Sequence, residues 1–152
     1  MKIYLASSWK NVELVRILAN YLRMRGHEVD DFTDSSKGRL SFSFSQLPGI
    51  EHYNAKSALD IAEVQQAFAE DKHWIDWADC VLLILPAGKS AHLEAGYAKG
   101  SGKKLVIYQQ EYPVGDFDVM YGFADLVTDD LFELMDFLAD KQQEVLNEES
   151  TV

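Results

Sequence analysis

The hydrophobic positions of this chain fall into two kinds of run. Short apolar blocks, Lys2–Ala6 (KIYLA), Cys80–Leu85 (CVLLIL) and residues 104–108 (KLVIY), carry little or no alternation with polar residues. A strand that is apolar on both faces is covered on both faces, which suits the interior of a parallel sheet. Between these blocks, apolar residues recur every three or four positions. In residues 11–25, Val15, Leu18 and Leu22 share one helical face and Gly26 supplies the stop. Two shorter strands are predicted at 27–31 (HEVDD) and 126–128. A long helix, broken once, is predicted over 57–79. A further helix opens at Ser90 after a sharp turn over 86–89, with Ser90 as its N-cap. Residues 113–122 read as a turn with a short helix. Residues 130–145 read as a closing helix, with an acidic tail that frays from about 146.

Strand and helix signals alternate along the whole chain, which implies parallel βαβ units with right-handed crossovers. The predicted fold is a three-layer α/β/α sandwich around a mostly parallel, five-stranded sheet of flavodoxin-like or Rossmann-like type. A single domain over 1–152 is expected from the length and from the 47% of hydrophobic residues. Residues 32–56 are the exception to the pattern. They are rich in Ser, Gly and aromatics and show no regular period. About 25 residues without structure is long for one domain, which marks a binding loop or lid. Phe42, Phe44 and Tyr53 in it suit a pocket lining and suit core packing equally.

Two carboxylates break the apolar pattern. Val64, Phe68, Ile75 and Ala78 form a stripe on the long predicted helix, and the vacant place in that stripe is Asp71. A buried unpaired charge is costly, so Asp71 must be paired, protonated or placed at a cleft. An ion pair with a nearby Lys or Arg is one solution; a working group in a crevice is the other. Glu94 falls at the end of the first turn of the helix that opens at Ser90. There the helix dipole favours its ionised form. The strand before it ends where ligands of open α/β sheets bind, although a plain surface Glu stabilising a helix start would look the same. Two carboxylates in different environments suit chemistry at a glycosidic carbon. Glu94 is expected as the ionised nucleophile, and Asp71, on an apolar face, as the group with a raised pKa. Asp79 is expected to make a turn contact.

Charge and composition narrow the partners. The net charge of −11 argues against a nucleic-acid backbone or an anionic membrane surface. The single cysteine, Cys80, lies in a core strand and forms no intrachain disulfide, so a cytoplasmic setting is expected. The apolar run at the N-terminus is too short for a signal peptide. No stretch approaches the roughly 18 apolar residues of a membrane span. His27, His52, His73 and His92 are scattered, and no metal site is expected. No glycine fingerprint follows the first strand, where Ala6-Ser7-Ser8-Trp9 stands, so no dinucleotide cofactor is expected. Gly88-Lys89-Ser90-Ala91-His92 lacks the closing glycine of a nucleophile elbow.

Four segments together resemble the nucleoside 2-deoxyribosyltransferase family, including its relatives that hydrolyse deoxynucleoside 5′-monophosphates. They are Ile3-Tyr4-Leu5-Ala6-Ser7-Ser8-Trp9, Asp71 eight residues before Asp79, Leu93-Glu94-Ala95-Gly96-Tyr97-Ala98, and Asp118-Val119-Met120. The resemblance implies that Glu94 attacks C1′ of a nucleoside, that Tyr4 orients Glu94, and that Asp71 contacts the base or relays its proton. Ser7 and Trp9 would line the base site, with Trp9 stacking on the base or covering the sheet end. Asp118 and Met120 would reach a neighbouring subunit's site near the sugar 5′ end, so a homo-oligomer is implied. The implied partners are a nucleoside or nucleotide and a free nucleobase. Where the transferases carry an acidic base-reading residue, six positions before the nucleophile, this chain has Gly88. The hydrolases hold the 5′-phosphate through hydroxyls at this loop, where Ser90 stands. Asp118 would repel a phosphate and accept a bond from a free 5′-OH, which favours a nucleoside. The alternatives are a 5′-monophosphate hydrolase and, in another class, a non-enzymatic nucleotide-binding domain.

Overall fold

The computed structural model describes residues 1–36 and 38–139. Five strands, β1 (Lys2–Ala6), β2 (Glu28–Asp30), β3 (Cys80–Leu85), β4 (Lys104–Gln109) and β5 (Leu126–Thr128), form one sheet. Its order is β2-β1-β3-β4-β5, and every neighbouring pair runs parallel. Four helices, α1 (Val12–Met24), α2 (Ala62–Trp77), α3 (Lys89–Gly100) and α4 (Leu131–Leu138), cover the two faces. The predicted three-layer α/β sandwich is the observed one.

The unbroken apolar blocks explain the layering. Alternate residues of a strand point to opposite faces, so Ile3, Leu5, Leu82 and Ile84 enter one core with α1 and α4. Tyr4, Ala6, Val81, Leu83 and Leu85 enter the other, with α2 and α3. The helix ends follow from glycine where the chain must turn left-handed. At Gly26 (φ 87°) the amide bonds Arg23 O and the next amide, of His27, bonds Leu22 O, closing α1. Gly102 (φ 85°) ends α3 the same way, through Lys99 O and Ala98 O. The turn contact expected of Asp79 is instead a long-range one: its carboxylate accepts from the amide of Lys2, at the start of β1, at 2.9 Å.

Several expectations shift. The break in 57–79 is real, because a 3-10 turn at Ser57–Asp60 precedes α2. The apolar stripe on that helix is only partly inward. Ile75 and Ala78 are buried, but Phe68 is 67% exposed. Ile75, the one buried residue of α2, lies near its C-terminus, and the first half of the helix carries none. The short helix expected at 113–122 is a 3-10 turn at Val119–Phe123. The closing helix starts as expected, with the Asp130 carboxylate accepting from Phe132 N and Glu133 N. Its predicted end and the tail from 146 lie outside the described residues. Residues 32–36 and 38–56 are irregular apart from 3-10 turns at Phe44–Gln46 and Ile50–His52. No described helix is long and apolar enough to cross a membrane.

The topology places a crevice. The crossover through α1 lies on one face and the crossovers through α2 and α3 lie on the other. The strand order therefore reverses direction between β1 and β3, and the carboxyl edge opens there.

Leu82, with no exposure in the central strand, measures the core. Leu82→Ala is expected to destabilise the fold by ~2–5 kcal/mol. Urea unfolding should show a lower midpoint at unchanged slope.

Candidate active site

At this carboxyl edge the sheet presents Tyr4. It is 1% exposed and points into the α2–α3 layer. The facing side of α3 is a seam of buried alanines, Ala91, Ala95 and Ala98. Small side chains let a helix lie close to a sheet, and Glu94, beside Ala95 on this seam, is thereby brought to Tyr4. The Tyr4 hydroxyl hydrogen-bonds the Glu94 carboxylate. Asp71 reaches the same cleft from α2, and its charge acts on both Tyr4 and Glu94. Tyr4, Asp71 and Glu94, which the sequence placed on three separate elements, therefore form one cluster.

A fourth member completes it. Arg39, from the irregular 32–56 segment, is 5% exposed and lies between β2 and α2. Its Nε donates to Asp30 Oδ1 at 2.9 Å and its Nη2 to Asp30 Oδ2 at 3.3 Å. Nη2 also donates to Asp71 Oδ1 at 2.8 Å. Nη1 donates to Leu40 O at 2.9 Å and lies 3.8 Å from Glu70 Oε1. Asp71 is thus ion-paired, while its side chain stays 38% exposed at the mouth of the cleft. Neither Arg39 nor Asp30 was singled out by the sequence reading. The available signal was the acidic pair Asp30-Asp31 at a strand's carboxyl end, which needs a cation. Nothing in sequence distinguishes Arg39 from Lys37 and Lys56 of the same segment.

The electrostatics reverse one expectation. Glu94 was expected to be ionised by the helix dipole. It is the sixth residue of α3, because the helix starts at Lys89 with Gly88 as its N-cap. The dipole fades beyond the first turn. Burial, and then the charge of Asp71, push Glu94 up to about 8, against the Tyr4 hydrogen bond and the Arg39 charge. Asp71 is raised as expected. Burial is the cause, with Arg39 opposing it. Tyr4 is raised too, first by burial and then by Glu94 and Asp71, so its hydroxyl keeps its proton and remains a donor. Burial lifts the Cys80 thiol to about 12, which leaves it an unreactive core side chain.

The remaining candidates stand further out. Ser7 Oγ donates to Ile84 O at 2.8 Å and accepts from Asn11 Nδ2 at 3.4 Å, which ties β1 to β3 at the crevice. Trp9 is half-exposed; its indole donates to Phe42 O at 3.1 Å and meets Phe32 edge-on at 5.2 Å. Ser90 is not the N-cap that was expected. It sits inside the first turn of α3, exposed beside Lys89. Asp118 accepts from Met120 N at 2.8 Å and so caps its own 3-10 turn. That turn is held to α3 by the Tyr121 hydroxyl, 3.0 Å from His92 Nε2, with the two rings stacked. Met120 is 57% exposed, so Asp118 and Met120 stand on an open turn, anchored to His92 and apart from the Tyr4–Asp71–Glu94 cluster. A depression of about 330 Å³ lies elsewhere on the carboxyl edge, lined by residues including Asn11, Pro86, Gln109 and Asp116. None of the clustered carboxylates lines it. Among the described residues, no group of three or more metal-ligating side chains is gathered.

Comparison with known proteins rests on structure. No protein-family model matches the chain. No curated protein matches it by sequence. A 2-deoxyribosyltransferase from Bacillus psychrosaccharolyticus superposes with a TM-score of 0.61 at 21% identity, over 88% of this chain and 90% of that one. A CMP N-glycosidase from Clostridium botulinum gives 0.54 at 16% identity, over 91% and 98%. A conserved protein from Enterococcus faecalis gives 0.61 at 14% identity, over 94% and 98%. At these identities the likeness establishes a common fold.

The raised Glu94 links the site to stability. A carboxyl at about 8 when folded and 4.5 when unfolded binds more protons in the folded state between those values. Stability from this group is therefore complete below about pH 4.5 and declines as pH rises to about 8. Glu94→Gln, a neutral mimic of the protonated form, is expected to match wild type near pH 5. Near pH 8.5 it should exceed wild type by ~1–3 kcal/mol, since one pKa unit is about 1.4 kcal/mol before solvent screening. Thermal melts of both proteins across pH 5–8.5 check this.

Proposed function

We propose that this chain is an enzyme that cleaves the N-glycosidic bond of 2′-deoxynucleosides through Glu94 and transfers the deoxyribosyl group to another nucleobase. The observation that carries the reading is the Tyr4–Glu94 hydrogen bond, with Asp71 in the same cleft at the strand-order reversal. The shared fold with a deoxyribosyltransferase and a CMP N-glycosidase supports the same class of bond.

In this mechanism the ionised Glu94 carboxylate attacks C1′. The C1′–N bond breaks and its electron pair leaves with the base, which takes up a proton drawn from solvent through Asp71, itself ionised before and after the step. A glycosyl ester of Glu94 results. A nitrogen of a second base then attacks C1′, releasing the carboxylate and completing transfer; attack by water gives hydrolysis instead. Tyr4 donates to Glu94 throughout and holds its attacking oxygen in place. Glu94 is largely protonated at neutral pH, and positive charge developing at C1′ favours its ionised form. Trp9 offers a face for the base beside the Phe42 segment. Ser7 and Gly88 shape the floor and rim of the crevice.

A second reading is hydrolysis of 5′-monophosphates. It is favoured by the start of α3, where Gly88 makes no side-chain cap and Lys89 and Ser90 stand exposed. Open amides at a helix start suit a phosphate. The exposed Phe117, Val119, Met120 and Phe123 support the reading that this turn meets a neighbouring subunit, carrying Asp118 toward its site. The single buried thiol fits a cytoplasmic protein.

Wild type and Glu94→Ala are to be incubated with deoxynucleosides and their 5′-monophosphates, with and without a second base, and the bases separated by chromatography. Base exchange is expected in wild type and is expected to fall by more than about 10³-fold in Glu94→Ala. The acid limb of kcat/KM should rise with pH through an apparent pKa above the ordinary carboxylate range, because Glu94 must lose its proton. Base release without exchange, strongest with monophosphates, would select the hydrolase. Full activity in Glu94→Ala would sink the mechanism, and no turnover with any substrate would point to a binding domain.

A further inference from the structure

We infer that Arg39 is a positioning residue of this site: clamped on Asp30, its guanidinium holds Asp71 ionised and aimed into the cleft, so that residues 39–42 must be seated before the carboxylates can work. The inference rests on the functional reading for its consequence in catalysis, but not for its geometry.

The geometry is a relay from two adjacent strands. Asp30 is the cross-strand partner of Tyr4 in the β1–β2 register. From β1 the line runs Tyr4 to Glu94. From β2 it runs Asp30 to Arg39 to Asp71, through contacts of 2.9, 3.3 and 2.8 Å. The guanidinium is planar, and two of its nitrogens are taken by the two Asp30 oxygens. Its plane is therefore set by the sheet, and the Nη2 contact transmits that orientation to Asp71. Arg39 is the one buried Arg or Lys among the described residues. A loop needing only a clip could use an exposed pair. Burying the ions adds little net stability, because desolvation offsets the attraction.

The segment that carries Arg39 is strapped across the cleft by successive residues. Leu40 N donates to Glu70 Oε1 at 2.9 Å, and Trp74 Nε1 reaches the same oxygen at 3.2 Å. Ser41 Oγ donates to Phe32 O at 2.9 Å, and Phe42 O accepts the Trp9 indole. Seating this strap and seating Asp71 are thus one event. The groups that face the Asp71 carboxylate or share its cleft are Arg39 from the strap, Glu70 from α2, Asp30 from β2, Tyr4 from β1 and Glu94 from α3. Arg39 is the only cation of that set. Without it, Asp71 and Asp30 would have to take up protons, and Asp71 would lose both its ionised state and its aim.

The test titrates Asp71 directly and measures coupling. Side-chain carboxyl carbons are followed by NMR against pH in wild type, Arg39→Met and Arg39→Lys, with Asp71→Asn to assign the signal. Arg39→Met is expected to raise the Asp71 titration by about one pH unit or more. Arg39→Lys, which keeps charge but not the fork, should raise it less. In kinetics, Arg39→Met should lower kcat/KM by about ten-fold or more, yet by less than about two-fold in an Asp71→Asn background, since the two act as one unit. An Asp71 titration unchanged in both Arg39 variants would overturn the inference, as would full multiplication of the two kinetic losses. If Arg39→Met does not fold, Arg39→Lys carries the same comparisons with smaller effects of the same sign. If wild type turns over no N-glycoside, the functional reading fails while the titration still decides the role of Arg39.

Discussion

A carboxylate taken out of water must find a partner, and at the carboxyl edge of this sheet several do so around one guanidinium. Arg39 lies between Asp30 on β2 and Asp71 on α2, within reach of Glu70 as well. Burial opposes its charge, but the ion pairs with Asp30 and Asp71 more than offset that and hold it firmly protonated. Both partners remain raised by burial even so. The cleft therefore carries more negative charge than its one cation neutralises. Glu94, the carboxylate hydrogen-bonded to Tyr4 rather than to Arg39, is buried beside that charge and holds its proton. The high proton affinity of Glu94 thus comes first from its burial and then from the Asp71 charge, with Arg39 opposing both.

The packing behind the cleft is what makes such crowding possible. An alanine seam on α3 lets that helix approach β1 and β3, and a fully apolar β3 brings no polar side chain of its own to compete. Tyr4 belongs both to the core and to the cleft. Its ring fills a place in the apolar layer and its hydroxyl stops at Glu94. The Glu94 side of the cleft is thereby tied to the sheet core, while its Asp71 side is tied through Arg39 to an irregular segment.

The elements with the strongest periodic signal were legible before any coordinates. β1 and β3 run over the residues that their apolar blocks mark, and α1 ends where Gly26 demands. Asp71 stood out because it interrupted an apolar stripe, although Phe68 of that stripe turned out to face solvent. The helix start at Gly88 rather than Ser90 was not legible. A serine after a glycine fits an N-cap by local preference, and only the path out of β3 decides which residue leaves the helix. That shift of two residues moved Glu94 beyond the reach of the helix dipole and changed its expected charge.

The sequence alone determined the α/β sandwich and the buried central strand and marked Asp71 and Glu94, because each is a local matter of period or of position at an element's end; Tyr4 was marked only by the family resemblance. The tertiary structure decided what those side chains do to one another. Arg39 and Asp71 are 32 positions apart, and no local pattern links them. Proton affinities are set by distance, burial and neighbouring charge, which exist only once β1, β2, α2 and α3 meet.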